Sequence, residues 1–151
     1  MERKEIPRYI PDASVALKWF IEERDTSHAL RLKELFEKGR IDLEAPSLLG
    51  YEVASALRFH PKVKVTLKQF RAVTEALADM QIMREPTHLE WLTAFRLSLD
   101  NAISVYDAIY LGFAVSRQSK MVTADISLLS KARSPRVKGS VLGLTDLTLS
   151  I

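Results

Sequence analysis

Four carboxylates carry the chemical interest of this sequence: Asp12, Glu52, Asp107 and Asp125. Asp12 and Asp125 each fall where a short apolar strand gives way to a helix, and Asp107 falls in the first turn of a helix that is apolar nearly all round. In an open α/β sheet the carboxyl ends of parallel strands share one edge, and ligands sit in the crevice outside it. Residues far apart in the chain are therefore expected to converge there. Two unit charges 4 Å apart at an effective dielectric of 20 repel by roughly 4 kcal/mol, so a cluster of this kind calls for a cation. Oxygen ligands, with no cysteine and no histidine cluster, select a hard ion, Mg²⁺ or Mn²⁺. Such an ion lowers the pKa of a bound water, orients a phosphodiester and stabilises the charge that develops during in-line attack. The chemistry expected is phosphodiester hydrolysis by metal-bound water.

Each acid also has a structural role open to it. Aspartate is a favoured helix N-cap, and Ser104-x-x-Asp107 has the form of a capping box with Asp in place of Glu or Gln. Glu52 shares a helical face with Leu48, Leu49, Ser55 and Ala56, where a carboxylate is costly unless paired or metal-bound. Arg58 and Lys18 are the cations that could pair with it.

Alternating short strands and amphipathic helices must position these groups. Strands are expected over residues 9–12, 42–45, 81–84, 121–123 and 141–144. Helices are expected over 13–21, 27–38 (stopped by Gly39), 46–59, 66–80, 87–99, 104–117 and 125–132. Leu89, Leu92 and Phe95 mark the fifth of these helices, and the sixth reads as buried in the core. This alternation predicts an α/β fold with a mainly parallel sheet.

At 151 residues and 47% hydrophobic, the chain is long enough to bury one core without staples. We expect a flexible N-terminal segment over 1–8 and a single domain over 9–151. The absence of cysteine excludes disulfides, thiolate zinc sites and a cysteine nucleophile. Residues 1–8 contain no apolar core of a secretory signal. The longest apolar run, 108–115, is far short of the roughly 20 residues that span a bilayer. A cytoplasmic protein with no membrane partner is the expectation.

Net charge is +3, a mild basic excess that favours an anionic partner. Two acid-free stretches carry it: 60–71, with Lys62, Lys64, Lys68 and Arg71, and 131–138, with Lys131, Arg133, Arg136 and Lys138. Lys18, Arg58, Lys131 and Arg133 are the candidate nucleic-acid contacts. His28, His60 and His88 show no paired spacing and read as structural, and the five glycines form no phosphate-binding loop. Trp19 and Trp91 are expected in the core or at a dimer interface.

Four segments together resemble the motif set of the PIN domain, particularly of VapC-type toxins. They are Asp12-Ala-Ser14 after a strand, Glu52 within Glu-Val-Ala-Ser-Ala-Leu-Arg58, Tyr-Asp107-Ala-Ile-Tyr, and Thr123-Ala-Asp125-x-x-Leu128. Their order and spacing agree over nearly the whole chain. The resemblance implies a three-layer α/β/α fold around a central, mainly parallel sheet. It also implies an endoribonuclease dependent on Mg²⁺ or Mn²⁺, neutralised by a small VapB-type antitoxin and forming a homodimer. Asp12, Glu52, Asp107 and Asp125 are then both the catalytic and the metal-binding acids, with the hydroxyls of Ser14 and Thr123 in support. Two positions depart from the pattern: Ser127 stands where many relatives carry a further acid or Asn, and Pro11 replaces an apolar strand residue.

A haloacid-dehalogenase-type phosphatase needs a second carboxylate where this chain has Ser14, and a receiver domain needs paired acids after its first strand. Neither pattern is present. A flap-type PIN nuclease in RNA or DNA processing stays open as an enzyme alternative, and a catalytically inactive PIN-fold RNA-binding module as a non-enzymatic one.

Overall fold

The central strand pair sets the position of everything else. In the computed structural model, which describes residues 5–149, β1 (Arg8–Pro11) pairs with a partner more than a hundred residues away. The elements that follow β1 are α1 (Ala13–Ala16), α2 (Thr26–Glu37), β2 (Asp42–Leu43), β3 (Ala45–Pro46), α3 (Leu48–Arg58), α4 (Leu67–Asp79) and β4 (Met83–Arg84). The chain then forms α5 (His88–Asn101), α6 (Val105–Ser116), β5 (Lys120–Thr123), α7 (Ile126–Lys131) and β6 (Val141–Gly143).

All pairings are parallel. The main sheet has the order β2-β1-β5-β6, with Ile10 opposite Met121 and Val122 opposite Leu142. Helices flank this sheet, and Ile10, Met121 and Val122 are completely buried between them. The α/β class and the parallel sheet agree with the expectation from sequence. Of the segment expected to be flexible, residues 1–4 lie outside the described residues. Within the rest of it, the Pro7 carbonyl accepts the Asp42 N–H at 2.9 Å and Arg8 opens β1.

Three local features differ from the sequence reading. The expected strand over 42–45 is divided at Glu44. The Glu44 N–H bonds to the Tyr9 carbonyl, but the Ala45 N–H turns to that of Ile82, so β3 pairs with β4 in a separate two-stranded sheet. Glu44 is buried at this break, where Arg117 reaches its carboxylate at 2.6 Å and Arg8 at 3.2 Å. The helix expected over 13–21 tightens into a 3-10 turn at Leu17–Trp19, with the N–H groups of Phe20 and Ile21 both on the Leu17 carbonyl. Finally, α5 is rotated relative to its apparent apolar face.

Leu89, Leu92 and Phe95 are exposed, whereas Glu90, Ala94, Leu97 and Asn101 face inward. A close approach to α6 fixes this rotation. A Cβ at Gly112 would meet the Ala94 backbone N at 3.1 Å, so the two helices touch through small residues. The inward polar groups are satisfied. Glu90 receives Arg117 at 3.2 Å, and Asn101 bonds the Leu97 carbonyl and the Ser134 N–H. Trp19 is in the core with its indole N–H on the Ala29 carbonyl, while Trp91 is exposed. The interior of α6, from Ala108 to Ala114, is buried on every side, as its composition predicts.

Candidate active site

The ends of β1 and β5 lie side by side, with the Asp12 N–H bonded to the Val122 carbonyl at 3.1 Å. Each strand is followed within two residues by an aspartate that caps the next helix. Asp12 accepts the Val15 N–H and Asp125 accepts the Leu128 N–H, both at 3.2 Å. The capping role and a functional one thus coexist, because a carboxylate has more acceptor sites than the cap uses.

Asp12 is the deepest of the four acids, 5% exposed, and both of its oxygens are held. Ser14 donates to Oδ1 and Thr123 to Oδ2, each at 2.5 Å. These hydroxyls also stitch the two strand ends together. Ser14 Oγ accepts the Ala124 N–H at 2.9 Å, and Thr123 Oγ1 accepts the Asp125 N–H at 3.1 Å. Burial pushes the Asp12 carboxyl up to about 6, and the charge of Asp107 adds to that push. The bonds from Ser14, Thr123 and the Val15 N–H act in the opposite direction.

Asp107 is half-buried in the first turn of α6, and its N–H is capped by Ser104 at 3.0 Å. Burial raises its pKa, as does the neighbouring Asp125, while Ser104 and the Lys131 ammonium lower it. Glu52, half-buried on α3, is raised by burial and by Asp107 and lowered by the Tyr110 hydroxyl. The four acids therefore form one electrostatically coupled group, linked through Asp107. Among the described residues none of them forms a salt bridge, and neither Arg58 nor Lys18 pairs with Glu52. Nor do three acids already meet at a single point among the described residues.

The candidate RNA contacts divide. Lys131 and Arg133 are exposed at the end of α7, close enough to the acids for Lys131 to act on Asp107. Arg58 is exposed at the end of α3, over the Phe59 ring. Lys18 corrects the expectation. It is 9% exposed with its ammonium 3.7 Å from Glu23, so its charge is spent inside the fold. The sequence reading passed over Tyr110, whose hydroxyl is buried among these acids. Its spacing of three from Asp107, which puts both on one helical face, is the signal that could have found it.

A family model described as PIN domain matches residues 9–133. Among solved structures, PAE2754 from Pyrobaculum aerophilum is 21% identical, with a TM-score of 0.62 over 92% of this chain and 85% of its own. VapBC2 from Rickettsia felis, bound to a DNA fragment from their promoter, is 14% identical with a TM-score of 0.65, over 90% of this chain and 98% of its own. No curated protein matches. No helix among the described residues is long and apolar enough to cross a membrane.

Proposed function

This chain belongs to the PIN domain family, and from that premise we propose that it is a Mg²⁺- or Mn²⁺-dependent endoribonuclease, the toxin of a VapBC-type pair. PIN domains are typically metal-dependent nucleases. The observation that carries the reading is the coupled acid group, with Asp12 and Asp125 after β1 and β5, Glu52 on α3 and Asp107 on α6, its innermost member fixed by two hydroxyls and, among the described residues, no basic side chain bonded to any of the four.

The donor set fits a hard divalent ion. It is all oxygen, the charge of Asp107 raises the pKa of Asp12 and Glu52 as that of Asp125 raises Asp107, and such repulsion is relieved by a positive charge placed among them. Asp12, Glu52, Asp107 and Asp125 would hold the ion. When bound, it supplies Lewis acidity to the scissile phosphate and to water. The rest falls to the chain. Ser14 and Thr123 keep Asp12 in one orientation, and Lys131 and Arg133 offer exposed charge to the phosphates on either side of the scissile bond.

Two partners belong to this reading. A small VapB-type antitoxin would inhibit by placing an arginine in the acidic crevice, since a guanidinium matches carboxylates bidentately and competes with the metal. The similarity to a VapBC2 structure supports such a partner. A homodimer is supported by the exposed apolar face of α5, formed by Trp91, Leu92, Phe95 and Leu99. Ser127 and the unassembled acids favour one second reading, an RNA-binding module without catalysis, and calorimetry with Mn²⁺ separates the two.

The test of the main reading is end-group analysis of an oligoribonucleotide incubated with Mg²⁺ or Mn²⁺. Hydrolysis leaves 5′-phosphate and 3′-hydroxyl ends and tolerates one 2′-deoxy sugar at the scissile position. A 2′,3′-cyclic phosphate product, lost at the deoxy site, would overturn the hydrolytic mechanism.

A further inference from the structure

The Tyr110 side chain is 1% exposed, and its hydroxyl is buried without a hydrogen-bond partner of good geometry. A buried donor left unmade carries a desolvation cost, which phenylalanine would avoid at the same position. The hydroxyl sits in the field of Glu52, Asp12 and Asp107. Burial first, and then these charges, hold its pKa far above the ordinary tyrosine value. A phenol hydroxyl has one hydrogen to give, and this one is given to no partner in good geometry.

Its surroundings leave one acceptor in need of it. Asp12 is served by Ser14, Thr123 and the Val15 N–H. Asp125 is served by the Leu128 N–H, and Lys131 acts on Asp107. Glu52 forms no salt bridge among the described residues, and Tyr110 is the hydrogen-bonding side chain that acts on it. The two groups come from different helices: Glu52 from α3 and Tyr110 from α6, one turn after Asp107.

We propose that Tyr110 is a positioning residue for Glu52: its hydroxyl donates to one carboxylate oxygen and leaves the other turned into the crevice. The proposal rests on the metal-site reading above. A partner of this kind fixes the orientation in which the carboxylate would meet the ion. Loss of such outer-shell partners typically weakens metal binding about 10- to 100-fold. Because α6 carries both Asp107 and Tyr110, one rigid helix then sets the relative placement of two of the four acids.

Calorimetric titration with Mn²⁺ on the full chain tests this, using the wild type, Tyr110→Phe, Glu52→Gln and the double variant. Tyr110→Phe should bind Mn²⁺ about 10-fold more weakly while melting within a few degrees of the wild type. In the Glu52→Gln background, adding Tyr110→Phe should change the affinity by less than about twofold, because the group it positions is already altered. In cleavage assays Tyr110→Phe should lower kcat and leave the KM for RNA unchanged. Equal Mn²⁺ affinity in Tyr110→Phe and wild type overturns the proposal, as does a full loss that persists beside Glu52→Gln. Tyr110→Met, which fills the same space without a hydroxyl, should weaken binding to a similar extent, and keeps the test decisive if Tyr110→Phe fails to fold. A wild type that binds no Mn²⁺ removes the metal-site reading itself, whereas a binding wild type matched by Tyr110→Phe and Tyr110→Met removes only the role of Tyr110.

Discussion

Thr123 donates its hydroxyl proton to Asp12 at 2.5 Å across 111 residues of sequence, and it does so from a position with no exposure to solvent. The bond ties the last residue of β5 to the carboxylate that follows β1, so the sheet register and the orientation of the innermost acid are set together.

Replacing this donor should move both activity and stability. Thr123→Val keeps the shape but removes the bond, and the Asp12 carboxyl should then ionise at still higher pH. The acidic limb of the pH–rate profile should shift to higher pH, with a loss of about 1–3 kcal/mol in unfolding free energy. Denaturant titration and the pH profile are the two measurements, and an unmoved acidic limb would show that Thr123 does not act through Asp12.

The raised pKa of Asp12 makes a linkage prediction. Unfolded, this carboxyl titrates near 3.8, and folded it titrates at about 6, so the native state binds its proton more tightly. Its stabilising contribution is present in full below the unfolded value and is lost as pH rises through the folded one, by on the order of 3 kcal/mol. In the presence of a chelator, the stability of Asp12→Asn relative to wild type should therefore rise between about pH 4 and 7. Added Mn²⁺ should reverse the order at neutral pH by favouring the ionised wild type. Thermal melts across pH decide it; a pH-independent difference would sink the assignment.

Asp107 couples electrostatically to Asp12, Glu52 and Asp125, so Asp107→Asn should do more than remove one ligand. Cleavage should fall to background, while the carboxyls of Asp12 and Glu52 ionise at lower pH because a neighbouring negative charge is gone. Carboxyl NMR titration of the chelated protein reads the second effect. Residual cleavage near the wild-type rate would remove Asp107 from the machinery.

The exposed face of α5 is expected to mediate self-association. Phe95→Glu places a charge in the middle of Leu92, Phe95 and Leu99 and should yield a monomer by sedimentation while preserving the circular dichroism spectrum. A wild type that is itself monomeric at tens of micromolar would dispose of this interface.

Much of the arrangement was legible in the sequence because its signals are local. The strand-to-helix steps at Asp12 and Asp125 carry capping chemistry within three residues, and the all-apolar α6 announces its burial. What stayed hidden depends on distant partners. The break at Glu44 is visible only once Arg117, 73 residues away, is known to reach it. The rotation of α5 puts Glu90 and Asn101 inside because Arg117 and Ser134 satisfy them, while periodicity favours Leu89, Leu92 and Phe95. Lys18 reads as available for nucleic acid until Glu23 is seen beside it. The link between Ser14 and the Ala124 N–H has no signature at all in a linear reading.

The parallel pairing of β1 with β5 also has a consequence in time. During synthesis the N-terminal part of a chain leaves the ribosome first, and contacts of long sequence separation must wait for their second half. The residues up to Asn101 can emerge and begin to compact, yet Asp12 then has neither its Thr123 donor nor Asp107 and Asp125 beside it. A nascent or truncated chain is accordingly harmless as a nuclease on this account. Only after translation has passed Asp125 can the four acids stand in one electrostatically coupled group.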